Sequence, residues 1–280
     1  RGAEAMGVLP GPGGLATGEM LKAAAAGELK ALYIAGANLL STFPDRQVAE
    51  AALTNAFVVT TELFLNESAQ LADVILPASS ISEKTGTFTT LDGTVQAVKQ
   101  AKKPAGICQQ DGDILVALAA AMGAKLSGSP ADTALEIAKL VGKLEPGVTL
   151  NGAPASLLRT ADAQPAAPTP EGLLLVPITK LYAGTSTAKF DAEFNHVQPV
   201  PTAFFNPADA ARFGLKAGEP VELTAVGAGI HLNVKVDRSV VPGTVQAIRS
   251  LSEAPVNLLT AGGATIVPVT VAKLAVEVAD

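Results

Sequence analysis

The sequence predicts an α/β domain with a doubly wound, mostly parallel sheet in residues 1–150, then a small β-barrel domain in residues 173–280. Strand and helix signals alternate through the first region, as they do where helices cover a parallel sheet. Residues 151–172 carry four prolines among alanine, serine and threonine, which is typical of a linker. Apolar residues then recur at every second position, and short strands with regular turns favour a compact barrel.

The elements of the first region follow one another in a regular order. The predicted strands are short apolar or β-branched runs, and the helices begin at capping residues or end at glycine. In chain order they are a helix at 19–27, a strand at 31–35, a helix around 49–53, a strand at 57–60, a helix capped by Asn66, a strand at 72–78 buried on both faces, a helix starting at Asp111 or Asp113, and a helix from Ser129 to Gly142.

The second region has the two-residue period of half-buried strands. Val221 and Leu223 alternate with polar neighbours, and a similar strand runs from Ile230 to Val236 after a glycine-rich turn. Asn206 is placed to cap one short helix. On its alternating strand, His231 is predicted to point away from the apolar face.

Composition excludes several classes of function. The formal net charge is −6 and the pI is about 5.1, which argues against the basic surface that binds nucleic acid or an anionic membrane. No apolar run approaches the length of a membrane span. Only 16% of residues are charged and 48% are hydrophobic, so we expect partner subunits to cover part of the surface. The start of the sequence, without methionine, suggests a fragment or a processed piece.

Residue types that carry chemistry are few. Cys108 is the only cysteine, and one thiol cannot ligate an iron–sulfur cluster or close an intrachain disulfide. The two histidines, His196 and His231, lack partners at metal-ligand spacing and are predicted to be structural. A glycine-rich stretch at 11–16 superficially matches a dinucleotide fingerprint, but flanking prolines disfavour the strand that must precede it.

Two loops lie where a parallel sheet places its ligands, beyond the carboxyl ends of strands. Gly36 and Asn38 follow the first strand, where glycine lets a phosphate approach the backbone; a plain strand-to-helix turn also favours both residue types. The loop at 83–96 follows the strand at 72–78 and is rich in hydroxyls and glycine. Both interpretations of Gly36 stay open at this point.

Several segments resemble the molybdopterin oxidoreductase superfamily and, within it, the large iron–sulfur subunits of NADH:quinone oxidoreductase (respiratory complex I). The most specific is the strand at 72–78 with the loop at 83–96. The segments 32–38 and 58–69 are similar to the family's preceding turn and helix start. Further along, 206–215 and 257–260 are similar to its dinucleotide-binding barrel, which implies a double-psi-like fold.

The resemblance implies a site for the guanine dinucleotide of a pterin cofactor. Its residues here are Gly36, Asn38, Glu62, Glu83, Gly86 and Thr87. The family often has Asn where Thr90 stands and Arg where Thr94 stands, and threonine cannot replace a bidentate guanidinium–phosphate contact. We therefore predict that the site is vestigial, that this chain binds no cofactor or metal, and that it contains no catalytic residue.

The functional prediction follows from the resemblance. It is a structural, cofactor-free C-terminal part of the large peripheral-arm subunit of NADH:quinone oxidoreductase, with iron–sulfur clusters in upstream segments or partner subunits. It implies partners in the peripheral arm of a respiratory complex, no nucleic acid, no membrane insertion, and a place on the cytoplasmic side of the inner membrane. The alternative is the cofactor-binding half of a molybdenum or tungsten bis-pterin oxidoreductase such as formate dehydrogenase, binding molybdopterin guanine dinucleotide. A free-standing binding module is the third possibility.

Overall fold

The computed structural model describes residues 6–141, 147, 172–184, 188–261 and 264–275. The predicted linker lies outside these residues except for Gly172. The helices are α1 (Thr17–Ala25), α2 (Leu39–Thr42), α3 (Arg46–Asn55), α4 (Asp111–Ala121), α5 (Pro130–Val141) and α6 (Pro207–Arg212). The strands are β1 (Ala31–Ala35), β2 (Phe57–Glu62), β3 (Val74–Pro77), β4 (Gly86–Thr89), β5 (Val95–Val98), β6 (Leu173–Ile178), β7 (Thr202–Phe205), β8 (Pro220–Ala225), β9 (Ala228–Val236), β10 (Thr244–Ile248) and β11 (Val267–Lys273).

The first part of the chain, here called the sheet domain (residues 6–141), is built on a parallel sheet in the order β1-β2-β3. One face of this sheet packs against α1 and α3. Ile34 and Val58 on that face form a buried core with Leu21 and Leu53 from the two helices. Apolar residues on one stripe of each helix produce this layer, and Asp45 caps α3 by accepting a hydrogen bond from the Val48 N–H.

The other face of the sheet is largely open. Tyr33, Val59 and Val74 are register partners across the three strands, and side chains paired in this way point to the same face. Tyr33 is 42% exposed and Val74 is 38% exposed. A doubly wound sheet is therefore not shown by the described residues. The predicted burial of β3 on both faces is wrong, because β3 is an edge strand and its residues Val74 and Ile75 are 38% and 40% exposed.

The second part, here called the barrel domain (residues 172–275), is a closed barrel in the order β10-β6-β11-β8-β9-β7. The pairs β10–β6 and β7–β9 are parallel, and the remaining pairs are antiparallel. Inward-facing residues such as Leu175, Phe205 and Leu223 are fully buried, as the two-residue period predicts. Closure removes the exposed strand edges of an open sheet. The side chain of His231 is 69% exposed, so its predicted outward direction is confirmed.

The two domains meet at Glu67, which the sequence places in the first turn of a helix. Asn66 does accept a hydrogen bond from the Ala69 N–H, but only a 3-10 turn follows, at Ala69–Leu71. Glu67 instead points at the barrel domain. One of its carboxylate oxygens accepts from Arg46 Nη1 at 2.8 Å, and the other accepts from Lys189 Nζ at 3.1 Å and the Ser252 hydroxyl at 2.7 Å. Its side chain is 19% exposed, and Arg46 beside it is 16% exposed.

Further polar contacts hold the segment from Leu40 to Pro44 against the barrel. The amide nitrogen of Asn257 donates to the backbone oxygens of Leu40 at 2.9 Å and Phe43 at 2.7 Å. The hydroxyl of Thr260 donates to the backbone oxygen of Pro44. Since Arg46 also donates to the Leu40 oxygen, this carbonyl belongs to the same network as Glu67.

Glu67→Gln is expected to loosen the contact between the domains. The amide keeps the size of the side chain but leaves Arg46 and Lys189 without their shared counter-charge. Because hydrogen bonds to charged groups contribute about 1.5–3 kcal/mol, we expect the free energy of unfolding to fall by about 2 kcal/mol. Urea unfolding measures this. The control is Glu253→Gln at an exposed position of the barrel domain, and an equal loss in both variants would contradict the role of Glu67.

Acid is expected to weaken the same contact. Burial raises the pKa of Glu67, but the hydrogen bonds from Ser252, Arg46 and Lys189 outweigh it and lower this pKa below its ordinary value of 4.5. A lowered pKa stabilises the folded chain above the ordinary value, and the stabilisation is lost as the pH falls through the lowered pKa. The stability difference between wild type and Glu67→Gln should therefore be full at neutral pH and shrink in acid. A difference that stays constant in urea titrations across this window would contradict the prediction.

Candidate functional site

A pocket of about 210 Å³, here called the strand-end pocket, lies at the carboxyl ends of β1, β2 and β3. Three of the six predicted site residues line it, namely Gly36, Asn38 and Glu62. Gly36 follows β1 with φ +58°, and a Cβ added there would meet no atom within 4 Å outside its own chain neighbours. The left-handed backbone explains why glycine occupies the turn, and the open space lets a ligand approach the backbone.

Hydrogen bonds hold the polar groups at the mouth of this pocket. The side-chain oxygen of Asn38 accepts from the Ser68 hydroxyl at 2.8 Å, and that hydroxyl in turn accepts from the Leu40 N–H. Glu62 ends β2, and one of its carboxylate oxygens accepts from the Leu63 N–H at 2.9 Å. A ligand can therefore reach the second carboxylate oxygen of Glu62 without breaking a hydrogen bond of the described part of the chain.

Two buried hydroxyls at the pocket have no hydrogen-bond partner among the described residues. They belong to Thr61, which is fully buried, and Ser79, which is 2% exposed. Both residues line the pocket. An unsatisfied buried hydroxyl costs about 1–3 kcal/mol, so native proteins usually supply a partner. Here a bound molecule or an ordered water would supply it.

Sequence reasoning missed the charged pair that borders the pocket. Lys84 forms an ion pair with Asp111, and both residues also line an adjacent cavity of about 290 Å³. The predicted site residues Gly86 and Thr87 line this adjacent cavity rather than the strand-end pocket. The pair joins residues 27 positions apart, and no local sequence signal reports a contact over that separation.

Glu83 lines neither cavity and has a structural role. It is 4% exposed and ends the 3-10 turn Ile81–Glu83, where its carboxylate accepts from the Ser80 N–H at 2.8 Å. This backbone hydrogen bond lowers the pKa of Glu83, and contacts with the Ser80 side chain and Lys102 act in the same direction. The sequence signal for this arrangement is the capping pattern of Ser80 with Glu83 three residues later.

The two threonines that depart from the family pattern close the turn between β4 and β5. The Thr90 hydroxyl donates to Asp92 and to the backbone oxygen of Thr94, and the Thr94 N–H donates to Asp92 at 3.1 Å. Their polar groups therefore serve the hairpin itself, and neither residue lines the strand-end pocket or the adjacent cavity.

The described residues contain no group of three or more His, Cys, Asp or Glu side chains placed to hold a metal ion. Within the same ranges, every helix is too short or too polar to cross a membrane. Cys108 is partly buried.

Comparison with known families covers both domains. The family model for molybdopterin oxidoreductases matches residues 5–121, and the model for the molydopterin dinucleotide binding domain matches residues 173–272. The chain belongs to the molybdopterin oxidoreductase superfamily. The predicted family is thereby confirmed.

Relatives within this superfamily carry out different reactions. The chain is 31% identical to the NADPH-Fe(3+) oxidoreductase subunit alpha of Geobacter sulfurreducens over 95% of its length, and 34% identical to a subunit of the NADH-quinone oxidoreductase of Streptomyces coelicolor over 81%. An F420-dependent formate dehydrogenase subunit alpha of Methanocaldococcus jannaschii is 42% identical, but over only 34% of the chain. These matches span 32%, 27% and 14% of the relatives, so the chain covers a third of their length or less.

A solved structure shares the fold. Acetylene hydratase from Pelobacter acetylenicus superposes with a TM-score of 0.64 over 83% of this chain and 39% of that enzyme, at 20% sequence identity. At this identity the likeness establishes the architecture alone.

Two neighbouring threonines of β2, Thr60 and Thr61, provide a test of the unsatisfied hydroxyl of Thr61. Thr60 is 3% exposed and donates to the Ile34 oxygen at 3.2 Å, whereas Thr61 has no partner in the described residues. Thr60→Val should lower the free energy of unfolding by about 1 kcal/mol, and Thr61→Val should leave it unchanged or raise it by about 1 kcal/mol. Thermal and urea unfolding measure both. Equal losses would show that a bound water or another group satisfies Thr61.

Proposed function

We propose that this chain is a structural, cofactor-free C-terminal part of the large peripheral-arm subunit of an NADH:quinone-oxidoreductase-type complex. It supports electron transfer through iron–sulfur clusters held in upstream segments or partner subunits. Its own residues perform no redox chemistry, and its task is to hold two domains in a fixed relation.

The observation that carries this proposal is the extent of the matches. Electron-transfer subunits named for NADPH–iron and NADH–quinone reactions match 95% and 81% of the chain, through both domains. The matches to formate dehydrogenases cover 34% and 49% of the chain. Similarity to the electron-transfer subunits extends through both domains of this chain. This extent favours a role that the two domains perform together.

Contacts between the two domains support this proposal. Glu67 ties α3, through Arg46, to Lys189 and Ser252 of the barrel. Phe64 stacks on Phe190 across the same interface, with ring centroids 4.6 Å apart and ring planes within 9°. A rigid pair of domains offers a defined surface to other subunits.

The remaining details belong to the same proposal. The open sheet face with Tyr33 and Val74 is covered in the full subunit, which completes the predicted doubly wound sheet. The barrel strands follow a double-psi-like path. The partners are peripheral-arm subunits, and the complex sits on the cytoplasmic side of the inner membrane.

A second candidate function rests on the unsatisfied hydroxyls of Thr61 and Ser79. Together with Glu62 and the open turn at Gly36 they fit the ribose or base of a nucleotide, which offers hydroxyl and amine donors. In this alternative the chain holds the guanine dinucleotide end of a molybdenum or tungsten pterin, the group that supplies redox chemistry in such enzymes. Glu62 and Asn38 would orient the nucleotide, and Glu83, Gly86 and Thr87 would support it at greater distance.

Elemental and cofactor analysis of the native complex separates the two. Purification of the assembly that contains this chain should yield flavin- and cluster-bearing subunits, with molybdenum, tungsten and releasable pterin far below one per complex. Metal analysis by mass spectrometry and fluorescence of oxidised pterin measure this. Stoichiometric metal with pterin would overturn the cofactor-free proposal and establish the alternative.

A further inference from the structure

A third cavity, here called the interdomain cleft, lies between the sheet domain and the barrel domain, away from the strand-end pocket. It has a volume of about 380 Å³. The end of α2 and the residues after it form one wall, and the segment 249–260 forms much of the other. The cleft and the strand-end pocket share no lining residue. Any molecule in the cleft would touch both domains at once.

The charge that lines the cleft is positive only. Among the described residues that line it, Arg249 is the only charged one, and no carboxylate accompanies it. Its Nε donates to the Thr179 hydroxyl at 2.8 Å, and its two terminal nitrogens have no protein acceptor within the described part of the chain. Ser41 and Ser250, one from each domain, also line the cleft, and their hydroxyls have no hydrogen-bond partner in the same residues.

The backbone holds Arg249 in place before any ligand arrives. Its N–H donates to the Ile178 oxygen at 3.0 Å. The next residue, Ser250, has φ +68°, which is rare for a residue with a side chain. A Cβ at Gly184 would lie 1.8 Å from the Ser250 oxygen, so only glycine permits this close packing. Strained backbone of this kind persists where the surroundings enforce it, and it is concentrated at binding sites.

The polar and the apolar residues that line the cleft together indicate the class of ligand. A planar guanidinium with two free nitrogens matches the paired oxygens of a phosphate, and hydroxyls complete such contacts. The cleft is larger than a lone phosphate needs, and Phe43, Pro44 and Pro177 supply apolar walls. We propose that the interdomain cleft binds a small phosphate monoester, with its phosphate on Arg249 and the hydroxyls of Ser41 and Ser250 and its organic part against these apolar residues. The ligand strengthens the docking of the two domains.

Calorimetric titration of the full chain with three probes tests this at constant ionic strength. Phenyl phosphate carries both features, inorganic phosphate carries the charge alone, and phenol carries the ring alone. Phenyl phosphate should bind one to one and most tightly, inorganic phosphate at least tenfold more weakly, and phenol not detectably. Phenyl phosphate should also raise the melting temperature, because a ligand that binds only the docked state stabilises it. Binding of phenol equal to that of phenyl phosphate, or no binding of any probe, would overturn the proposal.

Variants locate the site. Arg249→Gln should weaken phenyl phosphate binding at least tenfold, and Ser41→Ala, on the opposite domain, should weaken it several-fold. Arg249→Lys keeps the charge but loses the planar fork, so it should fall between wild type and Arg249→Gln. The control is Arg238→Gln, an exposed arginine of the barrel domain outside the cleft. Unchanged affinity in both Arg249→Gln and Ser41→Ala, or an equal loss in Arg238→Gln, would refute the site. If Arg249→Gln does not fold, the Ser41→Ala and Arg249→Lys titrations decide.

Discussion

The carboxylate of Glu67 is the contact on which the relation between the two domains depends. It is mostly buried, and a buried charge is unfavourable unless it is paired and hydrogen-bonded. Its partners, Arg46, Lys189 and Ser252, come from both domains, so the charge is satisfied only while the domains are docked. Both the interdomain cleft and the position of the Leu40–Pro44 segment follow from that docking.

The polar groups near the strand ends follow two opposite patterns. Glu83, Thr90 and Thr94 direct their hydrogen bonds inward, to caps and turns of their own loop. Thr61 and Ser79 are buried at the pocket with no partner in the described residues. A loop whose donors and acceptors are already used keeps its shape without a ligand.

Local patterns were sufficient to predict most helices, strands β1–β3, β8 and β9, and the presence of a barrel, but not the hairpin β4–β5 within the predicted loop at 83–96. Alternation over β8 and β9 predicted their inward residues, and Asn206 caps α6 as expected by accepting from the Ala208 N–H. The open face of the sheet was not predictable, because an apolar strand has the same sequence whether or not a second layer covers it. Three of the six proposed site residues share the strand-end pocket, since strand ends meet at one edge of a parallel sheet. The Lys84–Asp111 pair and the contacts of Glu67 depend on tertiary packing, which spacing in the chain does not encode.

The segment 58–69 can resemble the family for two reasons: it can bind a cofactor, or it can hold the two domains together. The position of Glu67 distinguishes these reasons. The segment 58–69 resembles the family through a strand, a turn and an acidic helix start. In the structure, Glu62 within it borders the strand-end pocket, whereas Glu67 binds the barrel domain. One segment thus serves both the pocket and the domain interface. A chain that had lost its cofactor would still need the second role, so the resemblance of this segment is no measure of cofactor binding. The unpaired hydroxyls of Thr61 and Ser79 bear on that question more directly, because no contact of the described fold uses them.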